Sequence, residues 1–263
     1  MTARLLALDF DGVISDSAAE AFLVALRTFA ALWPGSGVAK QARSLGELPT
    51  RAEVRSSPLY LPFVTRMPLG NRAEDFGVVL DAFEAAVALP DQPAYDAFRD
   101  THDEVWLQAF HRRFYHEREE LSSRHPKAWL DLMAPYAPLL EVLRRRAGKV
   151  TLALATARDR RSVKLLLDAY GIADLVEDAL LLDKEAGRSK RAHLRALTAR
   201  SGIAACDSRF LDDKLSHLES VAELGVGCAL AAWGYNGERE QRQARQRGFR
   251  VCSLADVEAW GID

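Results

Sequence analysis

The pattern of apolar and polar positions divides the chain into three stretches. The first is short. Leu5-Leu6-Ala7-Leu8 is a continuous apolar run of strand length, closed by Asp9-Phe10-Asp11-Gly12. Such a run predicts a buried strand. Side chains alternate along an extended chain, so Asp9 and Asp11 can both point forward from its end. Two acids held together are costly unless a cation or a proton neutralises them.

The second stretch is helical. Ser17-Ala18-Ala19-Glu20 has the spacing of a capping box, and Ala21, Phe22, Ala25, Leu26, Phe29 and Leu32 follow at the helical period until Pro34-Gly35. Residues 34–72 read as irregular, with prolines at 49, 58, 62 and 68, although Tyr60-Leu61-Pro62-Phe63-Val64 is apolar enough to be a packed helix or loop. Further helical patterns cover about 73–88, 93–121, 126–133 and 136–147. No alternating strand pattern interrupts 17–148.

At Gly148 the pattern changes again. Lys149 to Ala155 predicts a buried strand closed by Thr156-Ala157-Arg158-Asp159, then a helix over 160–170 ending at Gly171. Leu180-Leu181-Leu182, Phe210-Leu211, Val226 to Ala232 and Phe249 to Cys252 read as strands, with helices over 189–201 and from Asp213 to about 224. Alternating strands and helices mean an α/β fold with a Rossmann-like parallel sheet flanked by helices. The expected architecture is a core of 1–16 and 145–263, with an all-helical cap of 17–144 inserted after the first strand. Ligands of such sheets bind beyond the carboxyl ends of the strands. Three of those ends carry polar residues: Asp9/Asp11, Thr156 and Asp212/Asp213.

Composition narrows the function. The chain has 263 residues, is 49% hydrophobic and 27% charged, and has a formal net charge of -2. That balance leaves no electrostatic footprint for nucleic acid or an anionic membrane. Arg144-Arg145-Arg146 reads as a solvated helix face. No stretch reaches the roughly 18 apolar residues of a membrane span, and the apolar run before Asp9 is too short for a secretory signal. Cys206, Cys228 and Cys252 are far apart and odd in number, as free thiols of a cytoplasmic protein would be.

Each polar strand end also has an ordinary reading. Asp-x-Asp-Gly is the composition of many turns, Asp212-Asp213 suits a helix N-terminus, Thr156 suits a helix cap and Lys190 a solvated surface. Taken together, however, they resemble the haloacid dehalogenase superfamily, in its phosphoglycolate phosphatase-like and phosphoglucomutase-like branch. Asp9-Phe10-Asp11-Gly12-Val13-Ile14-Ser15-Asp16-Ser17 matches the branch's Asp-x-Asp-Gly-x-x-x-Asp-Ser. Leu152 to Arg158 matches the strand ending in Thr or Ser. Gly187-Arg188-Ser189-Lys190 matches the lysine that opens a helix, with Arg191 where a proline is usual and Lys184 as the alternative lysine. Phe210-Leu211-Asp212-Asp213, followed by Gly225, matches the acidic fourth motif, with His217 where the family often has a further acid. Ala232-Trp233-Gly234-Tyr235-Asn236 is similar to the turn after the next strand.

The resemblance implies a Mg²⁺-dependent phosphatase of a small organic phosphate monoester, acting alone or as a homodimer. It makes Asp9 the nucleophile that becomes an aspartyl-phosphate, and Asp11 the general acid and base. Asp9, the Asp11 carbonyl and Asp213 would hold Mg²⁺, with Asp212 a ligand or a group orienting one. Thr156 and the amide of Ala157 would bind phosphate, and Lys190 would bridge nucleophile and phosphate. Within the expected cap, Arg66, Asn71 and Arg72 are candidate contacts for an anionic leaving group, with an ordinary surface loop as the alternative. A phosphomutase of the same branch would share all four motifs and need a bisphosphate activator. A catalytically inactive binding protein on the same fold would be expected to have lost a carboxylate.

Overall fold

The computed structural model describes residues 4–70, 72–187 and 189–261. The chain forms two compact units, one of residues 1–16 and 135–263, the other of 17–134. The expected boundary at 144/145 therefore falls at 134/135. The helix Ala137–Arg145 belongs with the sheet: Tyr136 N donates to Ile14 O at 3.0 Å, and Arg145 and Arg146 both bind Glu258, at 2.5 and 2.6 Å. The 144–146 run lies at the surface as expected, with Arg144 and Arg145 exposed, but it is not without partners: Arg144 also donates to the Tyr170 carbonyl.

In this unit six parallel strands form one sheet. They are β1 (Leu5–Leu8), β2 (Thr151–Ala155), β3 (Val176–Leu182), β4 (Ser208–Asp212), β5 (Gly227–Ala231) and β6 (Arg250–Cys252), in the order β3-β2-β1-β4-β5-β6. β1 is apolar on every side chain because both sheet faces are covered, as central parallel strands require. One buried cluster joins Leu5, Ala7, Phe210, Leu194, Leu218 and Leu230. Register does the positioning. Leu8 pairs with Leu154 on one side and Leu211 on the other, so the next residues, Asp9, Ala155 and Asp212, end the three central strands at one level. Two helices that the hydrophobic pattern does not announce, Glu238–Gln246 and Val257–Gly261, complete the unit; the first has a single buried residue, Ala244, and so carries little apolar period.

The second unit is helical. The segment expected to be irregular holds helices Gly37–Ser44 and Arg51–Ser56, and the apolar stretch expected to be a packed helix or loop is the helix Tyr60–Val64. All three are short enough to hide their period, and the first two carry side-chain caps: Ser36 accepts from Ala39 N, Thr50 and Glu53 form a capping box, and Glu84 accepts from Gly37 N and Val38 N at 3.0 Å each. The expected helix over 93–121 is two, Gln92–Arg99 and Glu104–Arg124. Asp103 ends the run by accepting from Trp106 N at 2.8 Å and starting a new N-terminus. Among the described residues no helix is long and apolar enough to cross a membrane.

The expected capping box at Ser17 is absent. Ser17 makes no side-chain cap bond. Glu20 is fully buried and accepts from Arg118 Nε (2.7 Å), Arg118 Nη2 (2.9 Å) and Trp129 Nε1 (3.1 Å). Removing one partner of a buried pair leaves an uncompensated charge. Arg118→Met is expected to cost about 3–5 kcal/mol in urea unfolding, and Glu20→Gln/Arg118→Met much less than that.

Candidate active site

The site is built at the level where β1, β2 and β4 end. Lys190 is the first residue of the helix Lys190–Ser201, whose N-cap Ser189 accepts from Ala192 N at 3.2 Å. This start aims the Lys190 side chain across the sheet ends. Its Nζ donates to Asp9 Oδ1 at 2.7 Å, to Asp212 Oδ2 at 3.2 Å and to the Ala155 carbonyl at 2.5 Å. One buried ammonium therefore ties together the residues that the register places in a row. Lys184 instead lies 3.7 Å from Glu185. Arg191, standing where proline was expected, pairs with Glu223.

Asp9 Oδ1 also accepts from Phe10 N at 2.7 Å, and its second oxygen accepts from no described residue. Asp213 follows the last residue of β4, and its Oδ2 accepts from Tyr235 N at 2.7 Å. Its other oxygen is likewise without a donor among the described residues. Two glycines make room for this carboxylate. Gly12 has φ +82°, and a Cβ there would stand 2.3 Å from Asp213 Oδ2; a Cβ on Gly234 would stand 2.3 Å from Asp213 Cβ. The turn after β5, singled out in the sequence, thus holds Asp213 in place.

Asp212 is used differently. Its Oδ1 accepts from Lys214 N (2.9 Å) and faces His217 Nδ1 at 3.0 Å; its Oδ2 receives Lys190 and lies 2.9 Å from the same imidazole nitrogen. Both oxygens are engaged by protein groups. Asp9, Asp212 and His217 offer ligand atoms within 4.8 Å of one another. The Lys190 ammonium bridges those two acids, however, and His217 is turned onto Asp212, so the open carboxylate oxygens lie on Asp9 and Asp213.

The electrostatics follow from three buried carboxylates around one ammonium. Burial raises the Asp9 carboxyl well above the usual range, with Asp212 and Asp213 adding to it and Lys190 opposing. Burial and then Asp212 push Asp213 up to about 7. Burial would also raise Asp212, but His217 and Lys190 outweigh it and hold that carboxyl below its ordinary value. Burial lowers Lys190 less than Asp212 and Asp9 raise it, so the ammonium is retained. The remaining excess of negative charge, with one open oxygen on each of Asp9 and Asp213, is the donor set of a hard cation. It also has a measurable consequence. The native state keeps a proton on Asp213 that the unfolded chain releases from the ordinary carboxylate range upward. Stability of the chelator-treated protein is expected to fall as pH rises from about 4 to about 7, the raised Asp9 carboxyl acting in the same direction, and Asp213→Asn to reduce the slope in urea titrations.

The remaining candidates are placed as follows. Thr156 is buried; its N donates to Leu182 O (2.9 Å) and its Oγ1 accepts from Arg158 N (3.1 Å), leaving the hydroxyl proton without an acceptor among the described residues. Ala157 is exposed on the turn beside it. Asp11 is half-exposed and sits on Arg158, whose side chain is 1% exposed. Arg158 and His217 had no role in the sequence reading. The one available signal for Arg158 was its position two residues after the strand-ending Thr156. Arg66 and Arg72 belong to the helical unit. Arg66 donates to Pro62 O at 2.9 Å and lies over the Phe83 ring at 5.3 Å; Arg72 is 4.0 Å from Glu74 and half-exposed. Asn71 lies outside the described residues.

No family model matches the chain, and no curated protein matches it. Solved structures do. A protein of Lactobacillus delbrueckii subsp. bulgaricus described as a candidate phosphoglycolate phosphatase aligns over 100% of this chain and 99% of its own, with TM-score 0.71 and 13% identity. One of Haemophilus somnus described as a predicted phosphoglycolate phosphatase aligns over 98% and 97%, with TM-score 0.66 and 17% identity. A haloacid dehalogenase-like family hydrolase of Streptococcus pneumoniae aligns over 98% of each chain, with TM-score 0.57 and 12% identity. At these identities the likeness establishes the fold, which is that of the haloacid dehalogenase-like proteins and agrees with the resemblance read from the motifs.

Proposed function

We propose that the protein is a Mg²⁺-dependent phosphatase that hydrolyses a small organic phosphate monoester through an aspartyl-phosphate on Asp9. The observation that carries this reading is the Lys190 ammonium, 2.7 Å from Asp9 Oδ1 and anchored on Asp212. Lysine held there keeps a carboxylate buried and able to attack, and it supplies positive charge where the phosphoryl oxygens gather in the transition state.

Asp9 and Asp213, with the Asp11 carbonyl, would hold Mg²⁺; when bound, the cation neutralises charge on the nucleophile and on the phosphoryl group. Asp212 is read as the group that orients Lys190. The Thr156 hydroxyl and the Ala157 amide would donate to phosphoryl oxygens. Asp9 attacks phosphorus while Asp11 protonates the departing oxygen, and Asp11 then takes a proton from the water that releases phosphate. The solved structures sharing the fold include proteins described as predicted or candidate phosphoglycolate phosphatases, which is why phosphoglycolate joins the substrate panel.

The test is phosphate release from phosphoglycolate, hexose phosphates, glycerol phosphate and nucleoside monophosphates, with Mg²⁺ and without a bisphosphate. Release that a chelator stops supports the reading. No release from any ester sinks it, and release only with a catalytic amount of bisphosphate transfers the site to a mutase.

A further inference from the structure

The Asp11 carboxylate is held from a different strand than its own. Arg158 Nε lies 3.0 Å from each Asp11 oxygen, and its Nη2 lies 2.9 Å from Oδ1. The arginine side chain is 1% exposed, whereas that of Asp11 is 32% exposed. The fixed member of the pair is therefore the guanidinium. Its backbone is fixed too: Arg158 N donates to Thr156 Oγ1, and its carbonyl accepts from Lys184 N at 3.4 Å. A planar guanidinium meeting a carboxylate through two nitrogens sets orientation as well as charge, which a lysine ammonium cannot do.

We propose that Arg158 is a positioning residue for Asp11. It holds the carboxyl group in the place from which it protonates the leaving oxygen, and so sets how weakly acidic a leaving alcohol the site can expel. This inference rests on the hydrolase reading. In the first step a bond forms between an Asp9 oxygen and phosphorus while the phosphorus–ester oxygen bond breaks, and the Asp11 proton goes to the departing oxygen to give the alcohol. In the second step water attacks phosphorus, its proton goes to Asp11, and phosphate and the Asp9 carboxylate are released. Arg158 keeps its protons throughout. Because Nε reaches both oxygens, one oxygen of Asp11 stays held while the other carries the proton.

The readout is kcat/KM, which reports the steps up to formation of the aspartyl-phosphate, measured on glycerol phosphate, phenyl phosphate and 2,4-dinitrophenyl phosphate. Alkoxide departure needs a proton; dinitrophenolate does not. Arg158→Gln is expected to lose about 10²-fold on glycerol phosphate, less on phenyl phosphate, and less than about threefold on the dinitrophenyl ester. Arg158→Lys, which keeps the charge and loses the planar contact, is expected to fall between wild type and Arg158→Gln on glycerol phosphate. It also carries the test should Arg158→Gln fail to fold. An equal loss on all three esters, or no loss, overturns the inference. Two controls separate this from failure of the hydrolase reading. An inactive wild type, or an Asp9→Asn variant of undiminished activity, removes both. With those controls intact, a uniform Arg158 effect removes only the positioning role.

Discussion

Asp9→Asn is expected to lower phosphate-ester hydrolysis by about 10⁴-fold or more while leaving the protein folded. The amide cannot form the phosphoryl bond, and the variant has no second carboxylate on β1 at that level. Its stability should change little, for a physical reason. Asp9 is one of three buried acids around a single ammonium, and burial already raises its carboxyl well above the ordinary range. Replacing it by a neutral isostere relieves that excess charge, and Lys190 keeps Asp212 as a partner. Steady-state phosphate release and urea unfolding on the same preparation check both halves. A large loss of stability would mean that Asp9 is held for its charge rather than for its reactivity.

Lys190→Met reverses the balance. The ammonium lies between Asp9 and Asp212, and its removal leaves two buried carboxylates facing each other at the strand ends. Breaking a buried pair in this way is expected to cost about 3–5 kcal/mol near neutral pH. The loss should shrink as falling pH protonates Asp9, because the raised carboxyl takes up its proton first. Activity is expected to fall about 10³-fold, since no cationic side chain then meets the charge gathered on the phosphoryl oxygens. Chemical unfolding at pH 5 and pH 8, beside turnover on the best ester, checks both effects. Asp9→Asn and Lys190→Met thus separate the reactive group from the group that makes its burial tolerable.

The strand ends were legible because their signals are local. An apolar run closed by Asp9-Phe10-Asp11-Gly12 states where β1 stops and which side chains project from it, and the same holds for Thr156 and Asp212-Asp213. Lys190 was legible through the Gly187-to-Lys190 spacing even without the usual proline. What could not be read are contacts set by register between distant segments. Nothing in the chain near Arg158 announces that Asp11 is its partner. Nothing near Asp212 announces that His217 and Lys190 engage its oxygens while Asp213 keeps one open. Glu20 misled for the same reason. Its spacing from Ser17 suits a capping box, but Arg118 and Trp129 offer it three donors in the interior, and a buried carboxylate so satisfied has nothing to gain at the helix end. The short helices of 37–56 escaped because a helix of six to eight residues shows too little period to stand out, and its caps come partly from elsewhere, as Glu84 does for Gly37–Ser44.

The central claim is a covalent bond between phosphorus and Asp9. Its most direct test is to quench the enzyme during turnover with borohydride, which reduces an aspartyl-phosphate to homoserine, and to sequence the tryptic peptide spanning residues 5–27 by mass spectrometry. The account predicts homoserine at position 9, dependent on substrate and absent from Asp9→Asn. Sustained phosphate release with residue 9 recovered only as aspartate, or with the reduced residue found at another position, would contradict it.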